Sequence, residues 1–139
     1  MALTIGYALG RIGCQLAGDG DYGIATDLPW GMAYPDGVVP TTQIVHPAPV
    51  YETLMGLAIF ALLWSTRQAL GRFRPGLLFC LYLVLTGAAR FSVETIRLNP
   101  EVIFGLTGAQ LFSLGIAIVG VGIGVRLLTN RQGARVSGE

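Results

Sequence analysis

Apolar positions fall in four blocks separated by polar punctuation: Met1 to Ala17, Pro49 to Trp64, Gly76 to Val93 and Gly105 to Val125. Only the last reaches the roughly 18 charge-free residues that read as a membrane-crossing helix unaided. The first block carries Arg11 and the third Arg90. Such a segment still spans a bilayer when its charge faces other helices or a polar cavity instead of lipid. The second block opens on Pro49, favoured at a first helical position, and places Glu52 in the first turn, where the helix dipole favours a carboxylate. The pattern predicts an all-α polytopic membrane protein of about four transmembrane or partly re-entrant helices. Residues 1–128 form one membrane-embedded domain and residues 129–139 a cytoplasmic tail.

Between the first two blocks, Gly18 to Pro49 is rich in Gly and Pro, holds Asp19, Asp21, Asp27 and Asp36, and contains no Arg. It reads as a long loop, in which Trp30, Met32 and Tyr34 suit the membrane interface. The connection Ser65 to Pro75 holds Arg67, Arg72 and Arg74 without an acid, and the tail holds Arg126, Arg131 and Arg135 against Glu139. The positive-inside rule assigns both to the cytoplasm, leaving the acidic loop and the turn Leu98 to Phe104 on the outer side.

Composition supports the membrane reading. The 139 residues are 53% hydrophobic and 12% charged, with a mean hydropathy of +0.62, whereas soluble chains carry about 25% charged residues. A net charge of +1 says nothing about nucleic acid, and no basic patch interleaved by aromatics suggests it as a partner. All nine basic residues are Arg. Cys14 and Cys80 lie in different blocks, and their number and spacing suggest neither a disulfide framework nor a metal site. The first block lacks a basic leader and is interrupted by Arg11, so no cleavable signal peptide is expected. Gly6, Gly10 and Gly13 in the first block, and Gly120 with Gly124 in the last, have the spacing that permits close helix approach in a membrane.

The candidate chemistry lies in the charges. Arg90, Glu94 and Arg97 share one helical face, with Glu94 within reach of both guanidinium groups. Two cations around one anion leave a positive surplus suited to a phosphate monoanion, which Arg binds in fork geometry; a structural ion pair at the helix end is the alternative. Arg11 has Asp19 as its nearest sequence anion, eight residues on, and needs Glu52, Glu94 or a lipid phosphate as its match. His46, the single histidine, is either a proton acceptor or a hydrogen-bonding residue in its Pro-bracketed turn. Glu52 is also readable as a helix-start residue alone.

Three elements, in order, resemble the bacterial prolipoprotein diacylglyceryl transferases. Gly10-Arg11-Ile12-Gly13-Cys14-Gln15-Leu16-Ala17-Gly18-Asp19, with Gly23 shortly after, is similar to the family signature that begins Gly-Arg and ends with an acid and a Gly. His46-Pro47, then Tyr51-Glu52, resembles its His-Pro and Leu-Tyr-Glu element. Arg90 to Arg97 resembles its late Arg, Glu, Arg helix. The chain departs from the pattern at Cys14 and Ala17, where the family usually has Asn. The family also has further amino-terminal helices with a His and Gly-rich element regarded as catalytic, which a chain starting at Met1 is expected to lack.

The resemblance implies transfer of a diacylglyceryl group from phosphatidylglycerol to the lipobox cysteine of a preprolipoprotein, at the bacterial inner membrane. Its implied partners are phosphatidylglycerol, preprolipoprotein signal peptides and other membrane lipids; no metal or cofactor is implied. Arg11 and Arg90 are expected at the headgroup phosphate and the leaving group, with Glu94 holding Arg90 and Arg97. Tyr51 and Glu52 are expected to shape the pocket and Asp19 and Gly23 to form its rim, with His46, Cys14 and Arg97 also substrate-facing. A noncatalytic relative that binds anionic lipid, or assembles with other membrane helices through its Gly faces, is the alternative.

Overall fold

The computed structural model describes residues 2–73, 76–97, 99–103 and 105–136, as four helices and two small antiparallel sheets. Helix α1 is Ala2–Ala17, α2 Ala48–Phe73, α3 Leu77–Glu94 and α4 Gly108–Val136. Three of them, over Ala48–Leu70, Leu77–Glu94 and Gly108–Thr129, are long and apolar enough to cross a membrane. Helix α1 has 16 residues, about 24 Å at the α-helical rise, and is the short member of the set. The chain is a multi-pass membrane protein with an all-α body.

The helix ends differ from those read in the sequence. Helix α2 begins at Ala48, so Glu52 lies just past the first turn, and it continues through Phe73 across most of the expected connection. Helix α4 runs to Val136, so residues 129–136 of the expected tail continue the helix. Once an apolar helix is nucleated, each further residue adds a backbone bond at little cost, and Arg, Gln and Ala in both extensions favour the helix. The side chains of Arg72, Arg74, Arg131, Arg135 and Glu139, on which the sidedness reading rests, lie outside the described residues, as do Leu98 and Phe104.

Packing runs in chain order, α1 on α2, α2 on α3 and, most extensively, α3 on α4. Small residues set the last of these contacts. A Cβ on Gly87 would stand 2.7 Å from the Ser113 carbonyl oxygen, and one on Gly120 would stand 3.0 Å from the Cys80 carbonyl oxygen. By contrast, nothing lies within 4 Å of a Cβ added to Gly6, Gly10 or Gly13. The expected close approach on that face of α1 does not occur among the described residues. Helix α1 meets α2 instead through Ala8, 3.2 Å from a Cβ built on Gly56. The outer surface is apolar, with Leu9, Leu16, Phe112 and Ile118 all exposed, as a bilayer-facing surface requires.

The long loop is ordered. Strand β1 (Met32–Tyr34) pairs with β2 (Thr41–Val45), and isolated bridges join Gly23 to Arg97 and Ala25 to Val45. Tyr22 stacks on Tyr34 with centroids 4.1 Å apart, and the Tyr34 hydroxyl donates to Gln15 Oε1 at 3.0 Å, which fastens the loop to the end of α1. Of the three residues assigned to the interface, Trp30 and Met32 are exposed while Tyr34 turns inward. Burial also raises the Tyr34 phenol above its ordinary pKa.

The turn between α3 and α4 is a second hairpin, β3 (Glu101–Ile103) with β4 (Leu106–Thr107). It leads into a capping box: Thr107 N–H donates to Gln110 Oε1 at 3.0 Å, and Gln110 N–H donates to Thr107 Oγ1 at 3.2 Å.

Candidate functional site

Five ionised side chains from α1, α2, the long loop, α3 and the residues just after it form one alternating chain: Arg90, Glu52, Arg11, Asp21, Arg97. Glu52 is 3% exposed and lies between the first and second of these cations. Its Oε1 is 3.3 Å from Arg90 Nη1. Its Oε2 is 2.7 Å from Arg11 Nε, an ionic contact without hydrogen-bond alignment. Asp21 then pairs with Arg11 through one carboxylate oxygen and with Arg97 through the other.

Three guanidinium groups against two carboxylates leave a surplus of one positive charge. Tyr7, one helical turn before Arg11, completes the cluster. Its hydroxyl donates to Glu52 Oε1 at 2.7 Å and accepts from Arg90 Nη1 at 3.2 Å, and the Arg11 guanidinium stands 5.2 Å from its ring centroid.

A cavity of about 380 Å³ opens beside this cluster. Tyr7, Glu52 and Arg90 line its charged end. Ile59, seven residues past Glu52, and Tyr82, eight before Arg90, line it two helical turns deeper, with Met55, Phe112 and Ile116 adding apolar wall. Leu3 and Phe112 line the cavity and are also 66% and 71% exposed, so its flank is open on the apolar side. Arg90 is 38% exposed, against 12% for Arg11 and 11% for Arg97; it is the cation of the chain most accessible to a cavity ligand.

Glu94 does not hold Arg90 and Arg97. It is 2% exposed, accepts from Thr107 Oγ1 at 3.0 Å and from Asn99 Nδ2, and so ties the α3–α4 hairpin to the α4 cap. Helical spacing brings three charges to one side of α3, but each finds a better partner on another element. Arg11 likewise pairs with Glu52, one of its expected partners, and with Asp21 in place of the nearer Asp19.

His46 and Tyr51 form a separate group. His46 Nδ1 is 3.1 Å from the Tyr51 hydroxyl, which accepts from Trp30 Nε1 at 2.9 Å. Neither residue is among those lining the cavity. Gly23 sits where β2 and the end of α3 meet: a Cβ there would be 2.7 Å from His46 Cβ and 2.8 Å from the Ile96 carbonyl oxygen. Its N–H donates to His46 O at 2.9 Å, and Ile24 N–H donates to Ile96 O at 2.8 Å.

Asp19 is exposed, and the neighbouring Cys14 thiol, aided by Arg11, holds its carboxyl below the ordinary value. Cys14 Sγ is also 3.8 Å from Arg11 Nη1. Ligand atoms of Cys14, Asp19 and Asp21 lie within 4.8 Å of one another. Because Asp21 is engaged by two guanidinium groups whose charge opposes a cation, this group reads as an ion-paired network instead of a metal centre.

Asp21 and Tyr7 join the site, and Asn99 and Thr107 hold Glu94 beside it, without having stood out in the sequence. Tyr7 is legible in principle, being four residues from Arg11 on the same helical face. Asp21 carries only a weak signal, an acid between Gly20 and Gly23 in an aperiodic loop.

The sequence pattern of the prolipoprotein diacylglyceryl transferase family matches residues 1–126. Among relatives, the phosphatidylglycerol–prolipoprotein diacylglyceryl transferase of Gloeobacter violaceus is 34% identical over 137 residues, covering 96% of this chain and 50% of that protein. The protein of the same name from Solidesulfovibrio magneticus is 38% identical over 127 residues, covering 84% of this chain and 44% of its own length. That from Chlorobaculum tepidum is 34% identical over 136 residues, covering 94% and 45%. The chain spans about half the length of the curated relatives it matches. No solved structure matches it. With nearly the whole chain matched, and with Arg11 of the Gly-Arg element, Glu52 of the Tyr-Glu element and the late arginines joined in one ionic cluster, the chain belongs to the prolipoprotein diacylglyceryl transferase family.

Proposed function

We propose that the cavity holds phosphatidylglycerol and that the chain serves the transfer of its diacylglyceryl group to the lipobox cysteine of preprolipoproteins in the bacterial inner membrane. The observation that carries this reading is the pairing of an apolar, flank-open cavity with Arg90 at one end, backed by an ionic cluster that carries one surplus positive charge. An anionic phospholipid has the complementary form, a phosphate at one end and acyl chains at the other.

Arg90, the exposed cation, meets the phosphate, while Glu52 holds Arg90 and Arg11 at fixed separation. In the reaction, the cysteine sulfur bonds to the glyceryl carbon and the bond from that carbon to the phosphate oxygen breaks. The phosphate ester leaves with an added negative charge, and the thiol proton passes to it or to solvent. Fixed guanidinium groups at that oxygen stabilise the charge as it develops, and a low-dielectric wall strengthens their effect.

Incubating the full chain with phosphatidylglycerol vesicles and a lipobox peptide tests the proposal, with mass spectrometry of the peptide as the readout. A diacylglyceryl mass gain that Arg90→Ala abolishes is expected. Selective binding of phosphatidylglycerol without that gain would instead favour the noncatalytic reading, which Cys14 and Ala17 at the family's usual Asn positions support.

A further inference from the structure

The proposed ligand is an anion, yet the cluster that would receive it already contains two, and one of them comes from the loop. Asp21 places one carboxylate oxygen on Arg11 and the other on Arg97, so two of the three cations are occupied by a side chain of the loop. Asp21 is 31% exposed while the arginines it bridges are 12% and 11% exposed; it covers them from the solvent side. It follows directly on a turn in which Gly18 and Gly20 both hold positive φ, 59° and 92°. Just beyond it, the chain is tied to the body by backbone bonds from Gly23 N–H to His46 O and from Ile24 N–H to Ile96 O.

We infer that Asp21 is an internal stand-in for the phosphate, a latch that an incoming phosphoester oxyanion displaces from Arg11 and Arg97. This rests on the lipid-binding reading above. Displacement would convert a site with one accessible cation into one with three and release the Asp19 to Ile24 stretch from the end of α3. With Asp21 neutralised, the cluster carries two surplus charges in place of one, which favours an anion. A purely preorganising Asp21 has the opposite signature, since two guanidinium groups without their bridge repel each other and bind an anion less well.

The test uses the full chain and its Asp21→Asn variant in nanodiscs of phosphatidylcholine alone, of phosphatidylcholine with phosphatidylglycerol, and of phosphatidylcholine with soluble glycerol phosphate. Retained lipid is read by native mass spectrometry and amide exchange over residues 18–24 by hydrogen–deuterium exchange. The latch predicts that phosphatidylglycerol accelerates exchange at Gly23 and Ile24 in the unmodified chain. It also predicts that Asp21→Asn retains at least about fivefold more phosphatidylglycerol and exchanges fast with or without it. Acceleration by glycerol phosphate as well would mark the free phosphoester as a sufficient displacer; acceleration by the lipid alone would mark the headgroup.

Equal or weaker retention by a folded Asp21→Asn, or bound phosphatidylglycerol that leaves these amides unchanged, would overturn the latch and spare the lipid reading. No preference for phosphatidylglycerol over phosphatidylcholine in either protein would overturn both. If Asp21→Asn does not fold, the exchange response of the unmodified chain decides.

Discussion

Arg90 pairs with Glu52 at 3.3 Å across the α2–α3 contact, passing over Glu94 one turn along its own helix. The two acids therefore have different work. Glu52 is held between cations, whereas Glu94 is held by the neutral donors Asn99 and Thr107.

Replacing these acids one at a time separates the two roles. Glu52→Gln leaves Arg90 without its carboxylate and Arg11 with Asp21 alone, and losing a hydrogen bond to a charged group costs about 1.5–3 kcal/mol. A lowered melting temperature in detergent, with loss of selective phosphatidylglycerol retention, is expected. Glu94→Gln keeps a hydrogen-bonding side chain and should loosen exchange in the β3–β4 hairpin while lipid selection persists. Equal loss of lipid selection in both variants would contradict this division.

The α4 cap gives a smaller, local effect. Gln110→Ala removes the acceptor of the Thr107 N–H, and loss of one capping interaction costs about 1 kcal/mol. Faster amide exchange confined to the first turn of α4 and to β4 is the expected readout.

The glycines divide into two classes. Gly87→Ala forces a Cβ to 2.7 Å from the Ser113 carbonyl and should destabilise the α3–α4 contact by about 1–3 kcal/mol, the usual range for overpacking. Gly10→Ala meets nothing within 4 Å and should hold or slightly raise the melting temperature, since Ala is the better helix former. A thermal melt of each variant checks both.

Acid titration tests the link between Asp19 and Cys14. The thiol stabilises the ionised carboxylate, so the folded value lies below the unfolded one. The associated stability is present above the ordinary carboxyl value of 3.8 and disappears as pH falls through the lower folded value. In Cys14→Ala the Asp19 midpoint should move upward, as followed by the infrared or carbon-13 signal of a labelled Asp19 carboxyl. An unmoved midpoint would contradict the assignment.

The four helices are legible because each is a block of mostly apolar residues, three of them long enough for a bilayer, and charges at Arg11 and Arg90 inside such blocks mark the candidate site. Their partners are harder to read. Helical spacing describes neighbours on one rod and therefore favours Glu94 for Arg90, while the actual partner Glu52 is set by packing between helices. Asp21 is hidden for a related reason: its loop has no periodicity, and its position depends on Tyr22 stacking on Tyr34 and on the bridge from Gly23 to Arg97. Gly10 and Gly13 look like packing residues because small side chains at helical spacing permit close approach, but permission does not supply a neighbour.

An anionic phospholipid lying in the cavity, with its phosphate at Arg90, is the arrangement on which the proposed chemistry depends. Photo-crosslinking with phosphatidylglycerol carrying a light-activated group on one acyl chain tests it most directly. Labelling of Met55, Ile59, Tyr82 or Ile116, suppressed by excess unlabelled phosphatidylglycerol and lost in Arg90→Ala, is the predicted result. Labelling confined to outward residues such as Leu9, Ile118 and Val119, and indifferent to Arg90, would contradict it.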